Sequence, residues 1–163
     1  MILFKKSGCG FVFYIHPQFL KFLEQLTGIQ NIIPDPHFHG GGAQQSIPGA
    51  ILKIHADFSK HPVWKFERRI NLIFFLNRDW KEDYGGQLEL WSKDMKHCEH
   101  SIQPIANRCV IFTTSNKSFH GHPHPLRCPE GMTRKSFATY YYTRGRPENT
   151  PEHGTLWQDL PDE

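Results

Sequence analysis

The chain has 163 residues, 38% of them hydrophobic and 21% charged, enough for one domain with a real core. Its net charge of +3 is small and scattered, which argues against nucleic acid or an anionic membrane as a partner. No stretch approaches the ~20 apolar residues that span a bilayer, and thirteen Phe, five Tyr and four Trp point to a sheet-rich core.

The opening MILFKKSGCGFVFYIHP carries its lysines after the first apolar residues and has no small-residue cleavage site, so it does not read as a signal peptide. The expected location is a reducing cytoplasm, with Cys9, Cys98, Cys109 and Cys128 as thiols. FVFYI is short and apolar and reads as a first strand close to Met1. HPQFLKFLEQLTG predicts a helix, with Pro17 near its first turn, apolar Phe19, Leu20, Phe22, Leu23 and Leu26, and Gly28 as its stop. From Asn31 to Gly49 the chain reads as a loop or irregular strand, broken by Pro34, Pro36 and Gly40 to Gly42. The three glycines make a flexible loop, with a lip over an active site as the alternative.

Five strands follow: AILKIHADF, RRINLIFFLN, YGGQLELW, NRCVIFTT and SFATYYYT. The second is almost continuously apolar and is expected at the centre of a sheet. Gly85 and Gly86 read as a turn into the third. The expected fold is mainly β (α+β), with the helix packed outside. One domain is expected over 1–146, its barrel core at about 49–146, followed by a surface-lying or partly disordered tail over 147–163. His97, Cys98 and His100 cluster in KDMKHCEH, but no C-x-x-C occurs, so a polar surface loop is expected there rather than structural zinc.

IHADF places His55 and Asp57 two apart in an apolar strand, hence on one face. Two polar groups aimed inward need a partner. SFHGHPHP offers His120, His122 and His124 as the source of a third. Two histidines and a carboxylate can hold one face of a non-haem Fe(II) ion and leave positions open. By itself an HxD pair is as well explained by a buried, mutually satisfied pair. TRKSFATYYY then puts Arg134 and Ser136 on one face at the head of an apolar strand, a grip for a carboxylate. An iron site beside such a grip suits 2-oxoglutarate, one end on the metal and the other on arginine.

From Gly49 to Arg146, the order and spacing of HADF, RRINLIFFLN, YGGQLELW, NRCVIFTT, SFHGHPHPL and RKSFATYYYT resemble the prolyl-4-hydroxylase-like group of the Fe(II)/2-oxoglutarate oxygenases. The resemblance implies a double-stranded β-helix (jelly roll), iron ligated by His55, Asp57 and His120, and Arg134 salt-bridged to 2-oxoglutarate. It favours His120 over His122 because the family's ligand follows an aromatic residue and precedes a glycine, as in Phe119-His120-Gly121. Many relatives place a tyrosine shortly before HxD to bind the cosubstrate; here Ala50 to Ile54 contain none. Asn71 or Arg69 on the neighbouring strand are then the candidate donors. Trp64, beside His61 and Pro62, is a candidate for the substrate mouth, as is His122.

The implied activity is an Fe(II)-, 2-oxoglutarate- and O2-dependent hydroxylation of an unactivated C–H bond, on a peptidyl proline or another side chain. Two rivals stand beside it: the same chemistry on a free amino acid, sugar or small metabolite, and a jelly-roll binding module without catalysis. Oligomeric state is not legible.

Overall fold

The computed structural model describes residues 13–147 and 151–161. Cys9 and the first two residues of FVFYI lie outside them, and the other three, Phe13–Ile15, form a 3-10 turn and not a strand. The helix α1 spans Pro17–Thr27. His16 caps its start, Nδ1 accepting from the Gln18 N–H at 3.3 Å, and Gly28 ends it at φ +73°, its N–H donating to the Glu24 carbonyl.

Among the described residues, ten strands form two antiparallel sheets. The first holds β1 (Ile33–Pro34), β2 (Gly42–Ser46), β4 (Glu67–Phe75), β7 (Cys109–Thr113) and β9 (Arg134–Thr143). β9 is its spine, pairing with β4 along one edge and with β1 and β2 along the other. The second sheet runs β10 (Leu156–Trp157), β3 (Leu52–Ala56), β8 (His120–His122), β5 (Leu88–Trp91), β6 (Cys98–Ile102). This is the jelly-roll arrangement.

Alternation along β9 sorts the interior. Tyr141 joins Leu23 of α1, with Ile70 and Leu72 of β4, in the core under the helix. Ala138, Tyr140 and Tyr142 turn the other way and pack with Ile73, Phe58 and Phe66. Arg134 and Ser136 lie on that second row, so the polar residues of β9 share the inner face with its tyrosines. Full burial of each such aromatic side chain contributes on the order of 1.5–3 kcal/mol.

Two stretches differ from the sequence reading. Gly42–Ser46, read as part of a loop or irregular strand, is the regular strand β2, in register with Arg134 to Ala138. Its neighbours Gly40 and Gly41 do not form a lip. A Cβ on Gly41 would lie 2.6 Å from the Ala138 carbonyl oxygen, and the Gly40 carbonyl accepts from the Tyr140 hydroxyl at 2.7 Å. The KHCEH segment enters β6, an exposed edge strand on β5. The described part of the tail, 151–161, lies along the second sheet and is fastened there. Leu156 and Trp157 pair with Ala56 and His55, Gln158 N–H donates to the Ile54 carbonyl, and His153 and Ser59 exchange hydrogen bonds. Leu156 and Leu160 cover Ile54, Ala56 and Phe119 on the outside of the second sheet.

Candidate active site

β3 and β8 are neighbours, with His55 paired to His120, and Asp57 follows the last residue of β3. His55 Nε2 lies 3.6 Å from Asp57 Oδ1, and His120 Nε2 3.4 Å from Asp57 Oδ2. The three donor atoms all fall within 4.8 Å of one another. What each ring does with its other nitrogen decides whether such a cluster can bind a cation. His55 Nδ1 donates to the Lys53 carbonyl at 2.8 Å and His120 Nδ1 to the Ser118 carbonyl at 2.9 Å. A carbonyl can only accept, so both rings carry their proton on Nδ1 and present a bare Nε2 to the cluster. Burial pushes the His120 pKa down to about 4, so the ring is neutral at pH 7.

Asp57 is held by β4. Its Oδ2 lies 2.9 Å from Arg68 Nη2 in an ion pair and accepts from Asn71 Nδ2 at 2.6 Å, and Asn71 Oδ1 accepts from Arg68 Nε at 2.9 Å. The Arg68 guanidinium is fully buried, 3.4 Å from the Tyr140 ring centroid and 4.4 Å from that of Phe58. Burial alone would raise the Asp57 pKa. The Arg68 charge, helped by His55, His120 and Asn71, instead holds it well below the usual carboxylate range. Positions 68 and 71 would face opposite sides of a regular strand. The ladder to β9 shifts between Arg68 and Ile70, and this bulge at Arg69 turns both inward. It also sends Arg69 outward, to the Thr143 hydroxyl at 3.2 Å and an outer cleft beside the end of α1. Arg69 is therefore not brought to the cluster. Asn71 is, but its amide is committed to Asp57 and Arg68 rather than turned toward Arg134.

Arg134 is the second buried cation of the inner face. Its Nε donates to the Gly86 carbonyl at 2.8 Å, and its guanidinium lies over Phe75, 5.1 Å from the ring centroid. No described carboxylate pairs with it, and burial lowers its pKa to about 10, so it remains charged. A buried, unpaired cation is costly and is a natural receptor for an anion. Gly86 does more than turn the chain: a Cβ there would lie 2.5 Å from Leu126 Cδ2 and 2.9 Å from Arg134 Cδ. Ser136 sits beside Arg134 as the spacing predicts, its hydroxyl donating to Gln44 Oε1 at 3.3 Å. His122 is 4% exposed on the same face of β8 as His120, and its Nδ1 has no hydrogen-bond partner.

A second cluster, Asp35, His39 and His61, also has converging donor atoms. Its chemistry is the opposite of the first. His61 Nδ1 accepts from the Val63 and Trp64 N–H groups at 3.2 and 3.1 Å, so the neutral ring carries its proton on Nε2, facing Asp35 at 3.6 Å. That nitrogen points its proton at the carboxylate and has no lone pair for a metal. Trp64 stacks on His61 at 4.2 Å between ring centroids, which makes it part of this structural cluster. Trp157 is the aromatic residue that does reach the first cluster. It lies opposite His55 in the ladder, its ring 4.9 Å from the His55 ring and 56% exposed. Among the described residues, His97, Cys98 and His100 do not form a converging donor set.

Residues 42–142 match the family model described as the 2OG-Fe(II) oxygenase superfamily, well over half of the chain, and the protein belongs to that superfamily. Among solved structures it is similar to a Pseudomonas putida prolyl-4-hydroxylase at 21% identity and TM-score 0.52, covering 78% of this chain and 62% of that one. It is also similar to a prolyl 4-hydroxylase from Phytophthora capsici at 17% identity and TM-score 0.57, covering 80% of this chain and 41% of that one. Both likenesses are of fold, and the chain spans less than two thirds of either protein's length. The family's cofactors are Fe(II) and 2-oxoglutarate, with O2 as oxidant. The residues present fit them: two bare Nε2 atoms and an ionised carboxylate make a facial donor set for Fe(II), and Arg134 is an unpaired cation on the same inner face.

Proposed function

We propose that the protein is an Fe(II)- and 2-oxoglutarate-dependent dioxygenase that hydroxylates an unactivated C–H bond. His55, Asp57 and His120 hold the metal, and Arg134 takes the distal carboxylate of 2-oxoglutarate. The observation that carries this reading is the tautomer of the two histidines: backbone carbonyls at Nδ1 leave both Nε2 lone pairs beside a carboxylate kept ionised by Arg68. The unpaired buried charge of Arg134 supports the cosubstrate. From the names of the two similar structures we carry over a peptidyl proline, or another side chain, as the acceptor. A free amino acid, sugar or small metabolite would use the same centre.

Bound there, Fe(II) supplies the O2 activation that couples conversion of 2-oxoglutarate to succinate and carbon dioxide with hydroxylation of the acceptor. The protein's part is geometry and exclusion of water. The Lys53 and Ser118 carbonyls fix the planes of the two ligating rings. Arg68 and Asn71 occupy Asp57 Oδ2 and direct the remaining lone pairs toward the ion. Phe75 keeps a dry wall under Arg134, which strengthens its attraction for a carboxylate.

The test is succinate formation from 2-oxoglutarate under air with Fe(II), against His55→Ala, Asp57→Ala and Arg134→Ala, with a panel of prolyl peptides and small metabolites. Succinate that depends on all three residues is the expected result. Iron binding without succinate for any acceptor would leave a binding module instead, and succinate that does not respond to Arg134→Ala would overturn Arg134 as the partner of 2-oxoglutarate.

A further inference from the structure

His122 is buried yet unsatisfied. It lies two residues beyond His120 on β8 and faces the same way, but no backbone carbonyl or side chain takes up its ring, in contrast to His55 and His120. β8 pairs with β5 through Leu90↔His120 and Glu89↔Gly121. Continuing that register sets His122 opposite Leu88. Two residues before Leu88, Gly86 holds the Nε of Arg134. The imidazole thus lies on the inner wall between the metal-ligand cluster and Arg134. Three other residues of that wall are already engaged or apolar. Asn71 is bound to Asp57, the Ser136 hydroxyl donates to Gln44, and Phe75 has no polar atom to offer. A carboxylate has room for several donors, and one guanidinium does not exhaust it.

We infer that His122 is the second donor to the distal carboxylate of 2-oxoglutarate, an imidazole N–H working beside Arg134. The inference rests on the cosubstrate reading above. It assigns the carboxylate subsite of this protein an arginine–histidine pair, with the hydroxyl of Ser136 turned away. An unpaired buried imidazole is a liability in the empty pocket and a specific contact in the filled one, so it favours a dicarboxylate over a monocarboxylate keto acid.

The experiment measures binding, not turnover. The protein loaded with Mn(II) is titrated calorimetrically with 2-oxoglutarate and with 2-oxobutyrate, which lacks the distal carboxylate. Wild type, His122→Phe, His122→Gln and Arg134→Ala are compared, with folding followed by circular dichroism. We expect His122→Phe to weaken 2-oxoglutarate about tenfold or more, the range for a hydrogen bond to a charged group. It should leave 2-oxobutyrate unchanged, and His122→Gln should recover part of the loss. If His122→Phe binds 2-oxoglutarate as the wild type does, or loses both ligands equally, His122 does not serve the distal carboxylate. Should His122→Phe not fold, His122→Val carries the same comparison. Failure of the cosubstrate reading looks different: wild type would show no preference for 2-oxoglutarate and Arg134→Ala would change nothing.

Discussion

Arg68 and Asp57 come from different sheets, and their side chains meet 2.9 Å apart with the guanidinium fully buried. The pair therefore ties the two layers of the jelly roll together at the His55–Asp57–His120 cluster. Its cation is wedged between Tyr140 and Phe58, so it cannot follow a change at Asp57 into solvent. Arg68→Met should cost about 3–5 kcal/mol of stability, the range for breaking a buried pair and stranding one charge. Adding Asp57→Asn should return part of that loss, because the stranded carboxylate is gone. Urea melts of the single and double variants check this. A double variant no more stable than Arg68→Met would show that the pair is not coupled.

Asn71 touches Asp57 but no candidate cation position. Asn71→Ala should lower Co(II) or Fe(II) affinity about 10- to 100-fold while metal still binds, as expected for a group that orients a ligand. His120→Ala should abolish binding under the same conditions. Equal losses in the two variants would place Asn71 among the ligands instead.

Gly86 has φ +72° and no space for a methyl group. Gly86→Ala should destabilise the protein by about 1–3 kcal/mol through overpacking. It should also displace Arg134, weakening 2-oxoglutarate binding while leaving metal affinity unaltered. Calorimetric titrations with each ligand separate the two effects, and a variant that loses both alike would contradict a role confined to Arg134.

Acid should act through Asp35 as well as through the metal cluster. Burial would raise this carboxyl, but the His37 and His39 N–H groups outweigh it and hold its pKa below normal. A depressed folded-state value contributes stability that is complete above the unfolded pKa of about 3.9 and disappears as pH falls through the folded one. Asp35→Asn should therefore be less stable than wild type at neutral pH, with the gap closing as the pH drops below about 4. Denaturant melts across that range are the check; a gap of constant size would assign Asp35 no linked proton.

The parts of the fold and site readable from sequence are those governed by period alone. His55 and Asp57 share a face because they are two apart, as do Arg134 and Ser136, and the long apolar β4 lies between β7 and β9. The bulge at Arg69 has no such signature, since it depends on how β9 lines up across the sheet. It exchanged the roles of the two adjacent arginines and hid Arg68. One clue was present: an ionised Asp57 in an apolar run demands a buried cation, and Arg68 has Asn71 three residues on to steady it. β10 was missed because a two-residue strand shows no alternation, and its pairing with β3 joins chain segments far apart in sequence. β6 was missed because an exposed edge strand has no apolar face to reveal it.

The pairing of Leu156 and Trp157 with β3 also bears on synthesis. While the chain is being made, β3 can find β8 as soon as His120 has emerged, but its other edge waits for residues far downstream. Until then the ligand strand presents bare N–H and C=O groups beside apolar Ile54 and Ala56, a template for pairing with another nascent chain. This edge is thus closed only by a segment made long after β3 itself. A truncation before Leu156 should show itself first as poor recovery of soluble protein, ahead of any change in chemistry.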